Sequence, residues 1–458
     1  FDDIFAPAYY EDTDLAFRIR ETGKKVYYQP ASVVVHFEGI SNGTDEGSGL
    51  KQYQVANRDK FEDKWRSVLT ADHFANGEEV FTARERSQGR TTVLVIDHYV
   101  PHFDKDAGSR STFLYLRLLV QAGCNVKFLG DNFFRHEPYT TALQQMGIEV
   151  LYGGEYEKNW KRWLREQANY LDVIYLMRPH IAEKYIDVIN QLSPKPKTIY
   201  FGHDLHYLRM QRQAQISGDG ELKAEADYWR GKEYALFDKL DMIYYPSQVE
   251  VDEIRACKPD LPVKAIPLYA FEQFDVQPVN FSDRSDLLFV GGFNHPPNAD
   301  GLRWFVDEVF PEILSKQRMK LNIVGSNMPQ EITDLAGEDI VVHGFLSDEK
   351  LDELYRSVRL SVVPLRFGAG IKGKVLEAMD RGVPVVTTRI GAEGIPRSED
   401  VLMIADDAER MASLIASCYN DEVSLSKHSM LARETVQANF STGAVLDVIA
   451  DDFMITGK

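Results

Sequence analysis

From residue 91 onward, short apolar runs that predict buried strands alternate with helical segments, and the alternation starts again after a proline-marked passage at 259–278. Near-continuous apolar strands separated by helices are typical of a parallel sheet covered on both faces. Such sheets bind ligands at the carboxyl ends of their strands. The chain is therefore predicted to be an α/β protein with two tandem Rossmann-like doubly wound domains and a cleft between them. The predicted strands are Val93–Asp97, Val126–Leu129, Glu149–Tyr152, Val173–Leu176, Thr198–Phe201, Met242–Tyr245, Leu287–Val290, Leu321–Val324, Ile340–Val342, Leu360–Val363, Pro384–Thr387 and Leu402–Ile404.

Composition narrows the class of protein. The chain has 458 residues, a formal net charge of −18 and a pI near 5.1. A nucleic-acid-binding protein needs a basic surface, so this balance argues against one, whereas a local basic site for a small anion stays compatible with it. Cys124, Cys257 and Cys418 lack metal-binding or paired spacing, which predicts free thiols in a reducing compartment. No apolar run approaches the roughly 18 residues of a membrane span.

The stretch 364–378, Pro-Leu-Arg-Phe-Gly-Ala-Gly-Ile-Lys-Gly-Lys-Val-Leu-Glu-Ala, is the strongest candidate for chemistry. A glycine-rich turn exposes backbone N–H groups at a helix N-terminus, where the helix dipole favours anions. Lys372 and Lys374 add positive charge there, and Glu377 follows on the same face as Lys374. This predicts a site for a diphosphate, with a carboxylate for sugar hydroxyls. The alternative is a solvated Lys374–Glu377 pair after an ordinary turn, which would stabilise the helix by only a few tenths of a kcal/mol.

Residues 91–458 resemble glycosyltransferase family 4, whose members have the GT-B fold and use nucleotide sugars with retention and without a metal. The most specific part is Gly-Ala-Gly-Ile-Lys-Gly-Lys-Val-Leu-Glu-Ala-Met-Asp-Arg-Gly-Val-Pro-Val-Val, residues 368–386. The resemblance implies that Glu377 binds the donor ribose, that Lys372 and Lys374 hold the pyrophosphate, and that His203 lies beside the transferred sugar. The other donor-binding residues that it implies are Arg366, Gly368, Gly370, Gly291, Gly292, Glu393 and Gly394, and the phosphate and acceptor loop would contain Gly108, Ser109 and Arg110.

Two positions differ from the family pattern. Relatives often have two glutamates separated by seven residues, and the earlier position is Ala369 in this chain. Many relatives also carry an Arg/Lys pair after the strand that ends near Gly291, where this chain has Asn294, His295 and Asn298. These differences concern the contacts to the sugar. For Gly291, Gly292 and Arg110 the alternative to a ligand site is a plain turn or a surface position.

Residues 1–70 resemble a different family, glycosyltransferase family 2, at the end of its GT-A domain. The similar segments are 9–20, Tyr-Tyr-Glu-Asp-Thr-Asp-Leu-Ala-Phe-Arg-Ile-Arg, and 28–41, Tyr-Gln-Pro-Ala-Ser-Val-Val-Val-His-Phe-Glu-Gly-Ile-Ser. Asp12 matches the general base that deprotonates the acceptor hydroxyl, and His36 matches a histidine near the donor's metal. The alternatives are a helix-capping role for Asp12 and a core position for His36. The nucleotide-binding half is absent from the sequence, so we expect missing upstream sequence and no activity from residues 1–75 alone.

The predicted organisation has five parts. Residues 1–75 are the C-terminal part of a GT-A domain, and the polar segment 76–90 is a linker. Residues 91–275 form the N-terminal, acceptor-side domain of the GT-B fold, and 276–440 form its donor domain. Residues 441–458 form a C-terminal helix that packs back on the N-terminal domain.

The function implied by the resemblance is that of a hexosyltransferase-type enzyme of surface polysaccharide synthesis. It would move a sugar from a UDP-, GDP- or dTDP-linked donor to a saccharide or lipid-linked saccharide acceptor, in the cytoplasm or at the inner face of the membrane. The GT-B part would need no cofactor, and a divalent metal would act only in a complete GT-A module. Two other classes stay open: a nucleotide-sugar 2-epimerase of the same architecture, and a non-catalytic relative that binds sugar or nucleotide. A non-catalytic protein would release no nucleoside diphosphate from a donor.

Overall fold

The alternating strands and helices after residue 91 form two parallel sheets. The computed structural model describes residues 1–29, 32–35, 49–86, 88–275 and 277–455. The chain divides into a first unit, Phe1–Arg90, and a second unit, Thr91–Lys458, which contains both sheets. The prediction of an α/β protein with two tandem doubly wound sheets is confirmed.

The described part of the first unit is helical. A small core of Phe5, Phe17, Phe61 and Trp65 holds it together, and Trp65 Nε1 donates a hydrogen bond of 2.8 Å to the buried carboxylate of Asp14. The helices are α1 (Glu11–Glu21), α2 (Gln52–Asp72) and α3 (Val80–Ala83). The last of these lies within the predicted linker.

The apolar runs 26–28 and 33–37 predict a short strand pair around a turn at Pro30, but the described residues there form no strand. Residues 24–29 and 32–35 have no regular structure, and Val33, Val34 and Val35 are 72–82% exposed. An apolar run becomes a buried strand only when a neighbouring strand and a packed layer cover it, and the described part of this unit offers neither. His36 lies outside the described residues.

Within the described residues, the first sheet of the second unit has seven parallel strands in the order β3-β2-β1-β4-β5-β6-β7. Successive residues of β1 enter cores on opposite faces, Val93 and Val95 on one side and Leu94 and Ile96 on the other, as expected for a sheet covered by helices on both faces. The strands are β1 (Thr92–Asp97), β2 (Asn125–Gly130), β3 (Glu149–Leu151), β4 (Val173–Met177), β5 (Lys197–Phe201), β6 (Met242–Tyr245) and β7 (Val263–Ala265). The accompanying helices are α4 (Ala107–Gln121), α5 (Tyr139–Gln145), α6 (Gly154–Gln167), α7 (Pro179–Ile189), α8 (His206–Ser217), α9 (Gly220–Phe237) and α10 (Gln248–Cys257).

The second sheet, again within the described residues, has six parallel strands in the order β10-β9-β8-β11-β12-β13. One apolar cluster contains residues of both sheets, including Val95 and Val363, so the two domains share a core. The strands are β8 (Leu287–Val290), β9 (Leu321–Val324), β10 (Ile340–Gly344), β11 (Leu360–Val363), β12 (Val385–Thr387) and β13 (Met403–Ile404). The helices are α11 (Pro296–Trp304) and α12 (Phe310–Leu314) with a π-helical turn between them, α13 (Gln330–Thr333), α14 (Asp348–Ser357), α15 (Gly373–Asp380), α16 (Arg389–Ala392), α17 (Ser398–Val401), α18 (Ala408–Tyr419), α19 (Glu422–Phe440) and α20 (Thr442–Ile449).

The chain crosses between the two domains twice, and the two crossings are bonded to each other. The N–H of Phe271 donates to the carbonyl of Phe440 at 2.8 Å, and the N–H of Thr442 donates to the carbonyl of Phe271 at 3.0 Å. The segment after α20 lies against the first sheet, where the Asp452 carboxylate accepts hydrogen bonds. Its donors are Lys197, Tyr244 and Lys264.

Candidate functional site

The loops that follow β5 and β11 meet at the carboxyl ends of the two sheets. The contact is closest at Gly370, where an added Cβ would lie 3.0 Å from the carbonyl oxygen of His203 and 3.3 Å from the ring of Pro246. Gly370 also has a φ of +70°, in the left-handed region. A glycine is therefore required at this position by both the backbone conformation and the contact with the facing loop.

Lys372 and Lys374 lie at the start of α15, and each donates to a neutral oxygen of the protein. Lys372 is 8% exposed, and its ammonium group turns back into the glycine-rich turn to bond the carbonyls of Ala369, at 3.1 Å, and Gly370. Lys374 is half-buried and donates to Asn298 Oδ1 at 2.5 Å. Within the described residues, neither ammonium group forms an ion pair. Burial lowers the pKa of Lys374 to about 7 against the opposing effect of Glu377, and burial also lowers the pKa of Lys372.

Glu377 does not form the surface pair with Lys374 that the alternative interpretation predicts. Its Oε1 accepts a hydrogen bond of 3.2 Å from the hydroxyl of the buried Tyr269, and the Nε of Arg110 lies 3.7 Å from the same oxygen. Only 12% of the Glu377 side chain is exposed. Both contacts use Oε1, and no described residue donates to Oε2. A carboxylate held this way has an oxygen left for hydroxyl donors.

The arginines around the cleft are matched by carboxylates. Arg110, on α4, donates two hydrogen bonds of 2.8 Å to Asp348 at the start of α14. This ion pair joins the two domains. Arg212, on α8, contacts Glu393 at 2.7 Å and the carbonyl of Gly368 at 2.6 Å. The remaining pairs are Arg178 with Asp97 at 2.9 Å and Arg209 with Asp204 at 2.8 Å. Among the described residues, the two lysines therefore differ from these arginines in forming no direct ion pair, although Glu393 and Glu250 act electrostatically on Lys372 and Glu377 acts on Lys374.

His203 follows β5 with a φ of +56°, and its ring lies 4.5 Å from that of Phe201. Neither ring nitrogen has a hydrogen-bond partner among the described residues. Burial and the nearby guanidinium of Arg178 lower the pKa of His203 to about 3, so the ring is neutral at pH 7. A neutral imidazole with two unpaired nitrogens can offer one donor and one acceptor to a ligand.

The His203 loop is held from behind by two buried carboxylates. Helix α8 has no cap from its own N-cap residue, Leu205. Glu250 instead accepts a bond of 2.8 Å from the N–H of Leu205, and Glu233 accepts bonds of 3.1 Å from the next two N–H groups. Burial raises the pKa of Glu233 to about 8 and raises that of Glu250 as well. These carboxylates fix the loop that presents His203.

The structure brings most of the other predicted residues into this region, and two of them already have ionic partners. The Glu393 carboxylate accepts from Arg212 and from the N–H of Gly370, so it supports the glycine-rich turn. Arg366 pairs with Asp300 at 2.8 Å on a partly exposed surface. Gly291 lies against Lys374, where an added Cβ would be 3.0 Å from the ammonium nitrogen. Gly292, Gly368 and Gly394 line the same loops, and Gly108, Ser109 and Arg110 form the first turn of α4.

Asp12 belongs to the first unit. It is exposed on the first turn of α1, and its Oδ1 accepts a hydrogen bond of 2.7 Å from the N–H of Thr13. The buried carboxylate of this unit is that of Asp14. The roles implied for Asp12 and His36 remain predictions.

Several residues of the site carry no signal in the sequence. Arg212 lies in the middle of α8, Glu250 lies in the first turn of α10, and Tyr269 lies in the passage between the domains. All three are far from the glycine-rich turn along the chain, and nothing in that spacing indicates a contact with it. Asp97 is different, because a polar residue at the end of a predicted strand is expected at the carboxyl edge of the sheet, where ligands bind.

Comparisons with known proteins identify part of the chain by sequence. Residues 284–421 match a family described as "Glycosyl transferases group 1". An "Uncharacterized 44.6 kDa protein in cps region" from Klebsiella pneumoniae is 28% identical over 190 residues, which is 40% of this chain and 47% of that protein. The chain thus spans about half the length of this curated relative.

Solved structures share the fold of the second unit at low sequence identity. Sucrose-phosphate synthase from Thermosynechococcus elongatus has a TM-score of 0.63 at 17% identity, over 80% of this chain and 98% of its own. Anabaena HepE, solved with UDP and glucose, has a TM-score of 0.57 at 15% identity, over 80% and 100%. A Staphylococcus aureus TarM mutant, solved with UDP and saccharides, has a TM-score of 0.60 at 11% identity, over 79% and 99%. The fold is that of the GT-B glycosyltransferases.

Two searches of the described residues were negative. No described helix has the length and apolar character needed to cross a membrane. No three or more His, Cys, Asp or Glu side chains of the described ranges are grouped so that they could hold a metal ion.

Proposed function

We propose that the second unit is a glycosyltransferase that binds the diphosphate of a nucleotide sugar at the N-terminus of α15. The single observation that carries the proposal is that Lys372 and Lys374, at this point, form no direct ion pair with any described residue. An ammonium group withdrawn from water without a counter-ion is costly, so its retention points to an anion that completes the site. The pyrophosphate of a nucleotide sugar carries two negative charges, which would favour the charged form of both lysines when it binds.

The carboxylate and the imidazole extend this proposal along the donor. The free oxygen of Glu377 suits the paired hydroxyls of a ribose, one helical turn from the lysines. His203 has a lowered pKa of about 3, so it is unsuited to act as a general base near pH 7 and instead hydrogen-bonds the transferred sugar. As the sugar leaves, the lysines and the helix N-terminus stabilise the negative charge that develops on the diphosphate.

The more specific parts of the proposal rest on resemblance. The likeness of residues 368–386 to glycosyltransferase family 4 supports hexosyl transfer with retention and without a metal ion. The relative in the cps region supports a role in surface polysaccharide synthesis, and we propose that this takes place on the cytoplasmic side. The saccharides bound in solved GT-B structures support a saccharide acceptor. We also propose that residues 1–70 derive from a family 2 domain.

A nucleotide screen tests the proposal directly. Thermal unfolding is measured with UDP, GDP, dTDP and CMP, because a ligand that binds only the folded protein raises its stability by RT ln(1 + [L]/Kd). The stabilising nucleotide is then titrated by calorimetry into wild type, Lys374→Met and Lys223→Met. Loss of a charged hydrogen-bond donor predicts at least about tenfold weaker binding for Lys374→Met. Lys223, exposed on α9, is the matched control. Equal affinity in all three proteins would refute the proposed site.

A further inference from the structure

Six aromatic and imidazole rings form a continuous row from the cleft to the surface of the first domain. We call the row of His180, His98, Tyr99, His102, His136 and Phe134 the ring row. Its members come from the loops after β1 and β2 and from the start of α7, and neighbouring ring centroids lie 3.6–6.1 Å apart. At the outer end, Phe134 is 61% exposed.

The ring row adjoins the candidate site at His98. His98 directly follows Asp97, whose carboxylate holds Arg178, and His98 and Arg178 both act electrostatically on His203. A molecule reacting beside His203 could therefore extend outward along the ring row without leaving the protein surface.

The ring row is polar but carries little net charge. Burial lowers the pKa of His98 to about 4 and also lowers the pKa values of His102 and His180, so these rings are neutral at pH 7. The Nε2 atoms of His98 and His102 are buried and have no hydrogen-bond partner in the part of the chain that is described, whereas Tyr99 and His136 are partly exposed and His180 is exposed. Three ion pairs lie alongside, Arg135 with Glu137, Lys105 with Asp104 and Lys184 with Asp131. The Asp106 carboxylate also acts electrostatically on His98, Tyr99 and His102.

We infer that the ring row binds a neutral oligosaccharide of several sugars, namely the part of the acceptor that lies beyond the reacting sugar. A pyranose has apolar C–H faces and a rim of hydroxyl groups, and a row of rings with polar edges meets both requirements. Matched local charges disfavour an acidic chain, because no cation is left to pair with each carboxylate. This inference rests on the proposed function and narrows its acceptor class.

The test uses the whole chain and a rim residue whose loss leaves the core intact. Maltotetraose, cellotetraose and mannotetraose, with glucose and tetragalacturonate for comparison, are titrated into wild type, Phe134→Ala, Phe134→Trp and Tyr228→Ala by saturation-transfer NMR and calorimetry. Tyr228, which is 59% exposed on α9, is not a member of the ring row. We expect at least one neutral tetrasaccharide to bind more tightly than glucose and tetragalacturonate. Phe134→Ala should weaken that binding by about two- to tenfold, while Phe134→Trp and Tyr228→Ala retain it.

The inference would be overturned if no neutral tetrasaccharide bound, if glucose or tetragalacturonate bound as tightly, or if Phe134→Ala bound like wild type. The affinity for UDP, measured on the same proteins, separates this result from the proposed function. UDP binding with no saccharide binding would refute the ring row alone. Saccharide binding without any nucleotide binding would refute the diphosphate site alone.

Discussion

Nucleotide binding should weaken as the pH rises from 7 to 9, because the site must take up a proton. Lys374 has a pKa of about 7 in the unliganded protein, so it is mostly neutral at pH 8. A diphosphate at this position favours the charged form and would return the pKa toward the ordinary lysine value of about 10.4. A group whose pKa rises on binding takes up protons when the ligand binds. The affinity for the nucleotide therefore falls as the pH increases from the pKa of free Lys374 to its pKa in the complex.

The size of the effect follows from the same two pKa values. At pH 8 about 0.9 proton should be taken up at Lys374 for each nucleotide bound, and between pH 7 and pH 9 the Kd should rise about 50-fold. Titration of the terminal phosphate of UDP, with a pKa near 6, is almost complete in this range and does not oppose the trend. Because the pKa of Lys372 is also lowered, any contribution from it would add to the slope.

Isothermal titration calorimetry measures both quantities. UDP, or whichever nucleotide the screen selects, is titrated at pH 7, 8 and 9 in phosphate and in Tris, whose ionisation enthalpies differ, and the difference in heat gives the number of protons taken up. Lys374→Arg is the informative variant because arginine stays protonated throughout this range, and it should bind with a much flatter pH dependence. A constant Kd from pH 7 to pH 9 with no buffer-dependent heat would refute the reasoning.

Four further outcomes are expected. Glu377→Ala should weaken nucleotide binding at least about tenfold with folding nearly intact, because charge-assisted hydrogen bonds are lost. Calorimetry compares it with the exposed control Glu353→Ala, and wild-type affinity in both variants would disprove this. Transfer activity should survive EDTA, since the lysines already neutralise the diphosphate, and an activity abolished by chelator and restored by Mg²⁺ would contradict that. Asp12→Asn should not change the transfer rate, because the candidate site is assembled entirely from residues 91–458; a large loss would show that the first unit takes part. Gly202→Ala should cost about 1–3 kcal/mol of unfolding free energy in a denaturant titration, because the added Cβ would lie 2.2 Å from the buried ring of Tyr245, and an unchanged midpoint would mean that this loop can shift.

The sheets were predictable because burial on both faces leaves a strong pattern in the sequence. The predicted strands of both domains are present in the described residues, some with bounds shifted by a residue or two. The strand missed in the second unit is β7, Val263–Ala265. It has three residues at the edge of the sheet and lies among prolines, so its pattern is too short to separate from a loop.

The side-chain arrangement of the site was less predictable because it depends on contacts between distant elements. The sequence places Lys372 and Lys374 at one helix end but does not indicate that Lys372 turns back into its own turn. The pairing of Arg212 with Glu393 depends on how the two domains meet, and spacing along a chain carries no information about that. The donor-binding roles of Arg366 and Glu393 stay predictions, although both side chains already have ionic partners.

The paired crossings at Phe271 and at Phe440–Thr442 have a consequence for any opening of the cleft. Because the chain leaves the first domain and later returns to it, the second sheet is an insertion in that domain rather than an appendage. A body tied at two adjacent, mutually bonded points is free to rotate about the line through them and is restrained from sliding away. A protease that cut only one crossing would leave the other to hold the halves together. Release of the donor domain would therefore require two cuts.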